Sequence, residues 1–93
     1  MGRCKYEKLA ILETTLNEIR KLPDLKEPKP GIFYLKSEGF MHFHEKDSKI
    51  WADVKDGDIW GEPLDIPEKV TKTFSKKFIK EVFSRYSKSG GKI

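Results

Sequence analysis

Two stretches of strictly alternating side chains lie close together near the middle of the chain. Residues 39–45 read Gly-Phe-Met-His-Phe-His-Glu, and residues 49–55 read Lys-Ile-Trp-Ala-Asp-Val-Lys. A period of two places successive side chains on opposite faces of a β-sheet. The pattern therefore predicts two paired strands with one apolar face, and it puts both histidines of the chain on the other face.

Tight turns extend this pair to a four-stranded antiparallel meander within residues 31–62. We expect a three-residue loop at 37–39, with glycine in the left-handed conformation, and tight turns at 47–48 and 56–57. Pro63 is expected to end regular pairing, because proline lacks the N–H that a strand donates. The predicted strands cover residues 31–36, 40–45, 50–55 and 58–62.

The register of these turns collects apolar residues on one face of the sheet. It pairs Phe33 with Phe43, and it pairs Val54 with both Met41 and Ile59. A slip of one residue would mix this face with charged side chains, so the pattern favours the register strongly. The predicted apolar face comprises Phe33, Leu35, Met41, Phe43, Ile50, Ala52, Val54 and Ile59.

Amphipathic helices are predicted before and after the sheet, at residues 5–22 and 67–87. Apolar residues recur in each at intervals of three and four, which forms one stripe along a helix. Pro23 ends the first helix, since the residue before a proline leaves helical geometry. The stripes comprise Leu9, Leu12, Leu16 and Ile19 in the first helix and Val70, Phe74, Phe78, Val82 and Tyr86 in the second.

The remaining segments complete a single-domain prediction for residues 1–93. Residues 23–30 contain three prolines and are expected to form a stiff, extended connector. Residues 88–93 are expected to be a flexible tail. The element order α-β-β-β-β-α predicts an α+β fold, a four-stranded antiparallel sheet flanked by an N-terminal and a C-terminal helix, with the helices mainly on the apolar face.

The opposite face of the predicted sheet is unusual for a solvated face, because it carries rings instead of threonine and lysine. Two interpretations are open. Either a helix or the connector covers this face and the rings are packed, or the face is a binding surface for a ligand or partner. Its residues are Ile32, Tyr34, Phe40, His42, His44, Trp51, Asp53, Trp60 and Glu62, and the binding candidates among them are Tyr34, His42, His44, Trp51, Asp53 and Trp60.

Metal binding is a sharper version of the second interpretation. His42 and His44 point the same way about 7 Å apart on one strand, and Asp53 adds an oxygen ligand. No other cofactor motif is present, so zinc at these three residues is the one cofactor that the sequence suggests. The predicted register arranges this face in two cross-strand rows, Tyr34–His42–Asp53–Trp60 and Ile32–His44–Trp51–Glu62. A metal-dependent enzyme would use the same three residues, but these rows contain no candidate nucleophile and the chain has no glycine-rich phosphate loop. We therefore expect a non-enzymatic binding module.

Charge is unevenly distributed along the chain. Residues 67–93 carry eight basic residues and two acids, a net charge of +6, whereas the whole chain carries +4. A basic helix is typical of proteins that contact phosphates, so nucleic acid is an alternative partner. The acidic stretch at 45–65 could instead meet this helix in a second copy, which would give a homodimer. The candidate nucleic-acid contacts are Lys69, Lys72, Lys76, Lys77, Lys80 and Arg85.

Composition bears on location and origin. The one cysteine, Cys4, forms no internal disulfide, and the first residues contain no apolar signal segment, so we expect a cytoplasmic protein. No apolar run approaches the length that crosses a bilayer, so we expect no membrane partner. The chain has no glutamine and one asparagine, Asn17, among many charged residues. That bias is typical of proteins from thermophiles.

A family resemblance rests on three segments of the chain. They are Pro30-Gly-Ile-Phe-Tyr-Leu-Lys36, then Phe40-x-His-Phe-His44, then Ala52-Asp53-Val54. Together they resemble a family of small bacterial and archaeal single-domain proteins, over roughly residues 28–86. The resemblance implies an α+β domain and draws attention to His42, His44 and Asp53. It implies no activity, substrate or cofactor.

Overall fold

An antiparallel sheet forms the centre of the structure, a computed structural model that describes residues 2–3 and 9–91. Its strands are β1 (Gly2–Arg3), β2 (Leu25–Lys29), β3 (Ile32–Leu35), β4 (Glu38–Lys46), β5 (Lys49–Asp56), β6 (Ile59–Trp60) and β7 (Leu64–Ile66). Within the described residues the strand order is β2-β3-β4-β5-β6, and the short β1 and β7 lie beside β4 and β5. The α+β class is confirmed, with more strands than the four predicted.

Both predicted helices are present with shorter bounds. A 3-10 turn at Ala10–Leu12 leads into α1 (Glu13–Ile19), and the predicted start at residues 5–8, like Cys4, lies outside the described residues. The second helix, α2 (Lys72–Lys88), begins five residues later than predicted. Its start is fixed by Thr71, whose hydroxyl accepts a hydrogen bond from the N–H of Phe74 at 3.0 Å.

The core lies between the helices and one face of the sheet. All four stripe residues of the N-terminal helix are at most 1% exposed, as the spacing predicts. Helix α2 packs against β5 and against α1. Thr15 of α1 and Ser75 of α2 share a hydrogen bond of 2.6 Å. The sheet contributes Phe33, Leu35, Phe40, Met41, Phe43, Ala52, Val54 and Ile66 to the core.

The central hairpin has the predicted register. Met41 pairs with Val54, Phe43 with Ala52, and Glu45 with Ile50. The turn residues Asp47 and Ser48 both have positive φ, 52° and 67°. Two such residues form the turn type whose twist matches that of the strands it joins.

The turn between β3 and β4 differs from the prediction. Lys36 and Ser37, with φ of 52° and 72°, form a two-residue turn, so Leu35 pairs with Glu38 and not with Met41. The register then shifts between Phe33 and Tyr34, which is a β-bulge on β4. The bulge turns Phe40 into the core, where it is 1% exposed, instead of onto the opposite face.

The strand after the Gly57 turn also departs from the prediction. Ile59 pairs with Asp56 at the end of the sheet and is 68% exposed, because the core does not extend that far. Pairing continues past Pro63, since β7 lies against β5. Gly61 donates to the Val54 carbonyl at 2.9 Å, and Leu64 pairs with Ala52. Between these two points one side of the pairing has two residues, Glu62 and Pro63, whereas β5 has only Asp53. That extra residue is a second bulge, a position where proline is tolerated.

The proline-rich connector contains a strand. Strand β2 pairs with β3 through Leu25 and Leu35, and Lys29 lies opposite Ile32 after a register shift. Pro28 is accommodated because β2 is an edge strand, whose outward N–H groups need no partner in the sheet. At the other end of the chain, the N–H of Gly91 donates to the carbonyl of Tyr86 at 2.9 Å, so the predicted tail has a defined conformation as far as Gly91.

Candidate functional site

The second face of the sheet, opposite the helical core, carries the predicted binding residues. Tyr34 and Trp60 are 41% and 43% exposed, and the other four are partly buried. Among the residues that the structure describes, both helices pack on the other face, so helix burial does not explain these rings. We call this set the aromatic–histidine face: Tyr34, His42, His44, Trp51, Asp53 and Trp60.

Ring contacts join four of these residues into a row. The rings of His42 and His44 meet edge to face, with centroids 4.5 Å apart and planes at 88°. Trp60 packs against His42 at 4.8 Å, and Trp51 lies beside His44 at 5.6 Å. The row therefore runs Trp60, His42, His44, Trp51, with the two imidazoles at its centre.

Asp53 contacts the imidazole that lies diagonally across the strand pair. The register places Asp53 directly opposite His42, as predicted. Its Oδ2 atom nevertheless lies 3.0 Å from Nε2 of His44. Asp53 also faces the bulge at residues 62–63, and bulges next to sites commonly redirect a side chain. The structure therefore adds a diagonal His44–Asp53 contact to the cross-strand pairing of His42 with Asp53 that the sequence predicts.

His44 has a second, unsatisfied nitrogen. Its Nδ1 atom is buried and has no hydrogen-bond partner within the described part of the chain. Buried polar atoms are nearly always paired, so this orphaned ring nitrogen is a candidate ligand-binding atom.

A pocket opens over the row of rings. Its volume is about 250 Å³, and Tyr34, His42, His44 and Trp60 line it together with residues of β3 and β4. A shallower depression of about 630 Å³ lies on the other side of Tyr34, beside Lys26 and Glu27 of β2. Tyr34 lines both, so the accessible surface continues from the histidines to the edge strand.

Two further residues at this site escaped the sequence analysis. The Nζ atom of Lys55 lies 5.3 Å from the ring centroid of Trp60, a cation–π distance. The Trp60 ring also reaches Gly39, where the Cβ of any larger residue would lie 3.5 Å from the ring. Both contacts follow from the pairing of Lys55 with Trp60, which the predicted turn placed differently.

An ion pair stabilises the edge of the shallower depression. Burial alone would raise the pKa of Glu27, but hydrogen bonds from the Arg20 guanidinium and the Gly31 N–H outweigh it, so the pKa is lowered. Glu27 also raises the pKa of Arg20. Arg20 holds both Glu27 oxygens, at 2.7 and 3.0 Å, which fixes β2 to α1.

The basic helix is partly as predicted. Lys69, Lys72, Lys76, Lys77 and Lys80 are all exposed. Arg85 is not, because it is 5% exposed and donates from Nη1 to the carbonyls of Val54 and Glu62. Its Nε atom donates to Glu81 at 2.8 Å. Arg85 is thus held inside the fold, and this position lends no support to its prediction as a nucleic-acid contact.

Fold and site together define a small α+β domain with a partly exposed aromatic–histidine face. No family model, no curated protein and no solved structure matches the chain. The family resemblance of the three sequence segments therefore stays a prediction. Among the helices of the described residues, none is long and apolar enough to cross a membrane.

Proposed function

We propose that this chain is a non-enzymatic binding module and that its ligand lies on the aromatic–histidine face. One observation carries the proposal: two large rings, Tyr34 and Trp60, are more than 40% exposed beside a pocket that also contains both histidines. Exposed apolar surface with a few convergent polar groups is typical of ligand sites.

The chemistry of the pocket favours a small ligand with a flat, unsaturated portion. Trp60 and Tyr34 offer ring faces for stacking, and Lys55 lies close enough to Trp60 to attract an acidic group on such a ligand. The pocket of about 250 Å³ is below the usual range for drug-sized ligands. The ligand would therefore be a small one, or only part of it would enter.

Fragment screening by NMR tests this proposal. We expect aromatic carboxylates to shift the amide resonances of β4 and the indole resonance of Trp60. Trp60→Ala should weaken their binding at least about tenfold, which is roughly 1.4 kcal/mol. The matched control is Ile59→Ala, which removes an exposed apolar side chain from the same two-residue strand outside the pocket. Equal losses in both variants, or shifts that map elsewhere, would contradict the proposal.

A second candidate function uses the basic helix. Lys72, Lys76 and Lys80 follow one another at intervals of four on α2, and none forms an ion pair with a described residue. An unpaired lysine row is suited to a phosphate backbone. Oligonucleotide affinity measured at several salt concentrations tests it, because a phosphate-driven interaction weakens as salt rises. Affinity that is independent of salt, or unaffected by Lys76→Ala, would contradict this candidate.

A further inference from the structure

The aromatic–histidine face contains three side chains that could share one metal ion. One ligand atom each from His42, His44 and Asp53 lies within 4.8 Å of the other two. Ligands about 2.0–2.1 Å from a tetrahedral zinc ion lie about 3.4 Å from one another. The observed spacing of up to 4.8 Å is wider than this, so binding of an ion would draw the three side chains together.

We propose that this cluster binds a divalent transition-metal ion, with zinc as the representative. The inference rests on the proposed function, because it names a ligand for the same face. Imidazole nitrogen with carboxylate oxygen suits zinc, cobalt, nickel and copper, whereas magnesium and calcium prefer oxygen alone. The donor set therefore selects the class of ion.

His44 supplies the most specific support. Its Nε2 atom lies 3.0 Å from Asp53 Oδ2, so in the neutral ring the single N–H is on Nε2 and the lone pair is on Nδ1. Nδ1 is the buried atom without a hydrogen-bond partner. A buried acceptor left unpaired destabilises the fold, and a metal ion would satisfy it.

Asp53 favours the cation in either arrangement open to it. It can provide an oxygen ligand, or it can keep its bond to Nε2 and orient the imidazole while His44 binds the metal from the other side. A carboxylate that accepts the other ring N–H of a metal-binding histidine raises the basicity of that histidine, and loss of such a carboxylate weakens metal binding about 10–100-fold. Both arrangements predict that neutralising Asp53 weakens binding.

The pocket leaves the metal open on one side. His42 and His44 both line the cavity of about 250 Å³, which gives space for water or another ligand. Whether Asp53 binds the ion or orients His44, fewer than four protein ligands leave at least one exchangeable position, as in open zinc sites, whereas closed structural sites have four. The ion would thus anchor a second ligand between the histidines and Trp60.

The two tryptophans of the chain provide a direct readout. Trp51 contacts the ring of His44, and Trp60 contacts the ring of His42. A paramagnetic ion bound between the histidines should therefore quench the intrinsic fluorescence of the whole protein. We would treat the full chain with a chelator, remove the chelator and titrate with cobalt, then with zinc.

We expect saturable quenching by cobalt, reversal by zinc, and one zinc per chain in calorimetry. His44→Ala should weaken zinc binding at least about 100-fold, and Asp53→Asn at least about tenfold. The matched control, Asp58→Asn, neutralises an exposed carboxylate in a turn and should leave the zinc affinity unchanged. Circular dichroism verifies that each variant is folded.

Absence of saturable quenching in the wild-type chain would overturn the inference, and so would zinc binding that survives both His42→Ala and His44→Ala. The wild-type measurement needs no variant, so misfolding of a histidine variant does not prevent a decision. If zinc does not bind but aromatic fragments still bind at Trp60, the metal inference fails alone. If neither binds, the proposed function fails with it.

Discussion

At the scale of single residues, Arg20 makes hydrogen bonds to two separate elements, a connection that no pattern in the sequence predicts. Its guanidinium donates to Glu13 and Asn17 of α1 at 2.8 Å and holds both carboxylate oxygens of Glu27 on β2. Glu27 in turn accepts the N–H of Gly31 at 2.9 Å. One side chain therefore links the first helix to the first hairpin.

Arg20→Lys should destabilise the fold by about 2 kcal/mol, because an ammonium group cannot replace the two-pronged contact with Glu27. Lys21→Ala is the matched control, since its exposed pair with Glu18 contributes at most about 1 kcal/mol. Urea unfolding of both variants measures the difference. Equal free energies of unfolding would show that the Arg20 network is not structural.

Glu27 gives the fold a dependence on acid. Its pKa in the folded state lies below the ordinary value of 4.5, so the unfolded state binds the proton more tightly. The stabilisation is therefore complete above about pH 5 and is lost as the pH falls through the folded pKa. We expect Glu27→Gln to reduce the fall in unfolding free energy as the pH drops below about 5, relative to wild type. A parallel pH dependence in both proteins would contradict this.

At the scale of elements, Arg85 closes the bulge that separates β6 from β7. The guanidinium bonds the carbonyls of Val54 and Glu62 from the side of α2, at 3.2 and 3.1 Å. It packs so closely that a Cβ on Gly61 would lie 2.6 Å from Nη1. The last helix and the irregular edge of the sheet are thus held together by one buried cation.

Arg85→Ala should cost about 2–3 kcal/mol in unfolding free energy, since its loss leaves two carbonyl groups with fewer partners. Lys80→Ala on the exposed side of the same helix should change the value by no more than about 0.5 kcal/mol. Gly61→Ala should destabilise the wild-type chain and cost less in the Arg85→Ala background, where only the Asp56 Cβ, at 3.1 Å, stays close to the added methyl group. Additive costs would show that Gly61 and Arg85 do not interact.

The elements also show what the sequence could and could not predict. The central hairpin was predictable because Asp47 and Ser48 join two strands with clear alternation. The neighbouring register was wrong because Lys36 and Ser37, not Gly39, adopt positive φ, and neither residue type signals such a turn. Strands β2 and β7 were missed because they contain or follow proline, which is tolerated at a sheet edge and at a bulge.

The candidate site was predictable as a set and not as a geometry. Alternation alone placed His42, His44, Trp51 and Asp53 on one face. It could not show that Asp53 reaches His44 diagonally across the strand pair, because that contact depends on side-chain rotation and on the bulge at residues 62–63. Nor could it place Trp60 beside Lys55, since the pairing depends on where the turn lies.

At the scale of the whole molecule, charge is concentrated in two neighbouring segments, the acidic stretch at 45–65 and the basic segment at 67–93. The basic helix and the acidic hairpins touch within one chain through Lys88 and Asp56, 3.5 Å apart. The predicted homodimer would use the same attraction between copies. The molecular mass of the protein in solution, measured at low and at high salt, tests for this dimer, because a charge-driven dimer should dissociate as salt rises. A monomer at both would contradict it.

The composition also predicts high thermal stability for the whole molecule. Ion pairs contribute more as temperature rises, because the cost of dehydrating charged groups falls. The Arg20 network joins three partners at 2.7–3.0 Å, so its contribution should grow on heating. We expect a Tm above about 65 °C, the upper end of the mesophilic range.

Arg20→Lys should lower the Tm by roughly 8–16 °C, the shift that about 2 kcal/mol causes in a domain of this size. A wild-type Tm within the mesophilic range would contradict the thermophilic interpretation. A high Tm that Arg20→Lys leaves unchanged would show that the stability comes from the core and not from the ion pairs.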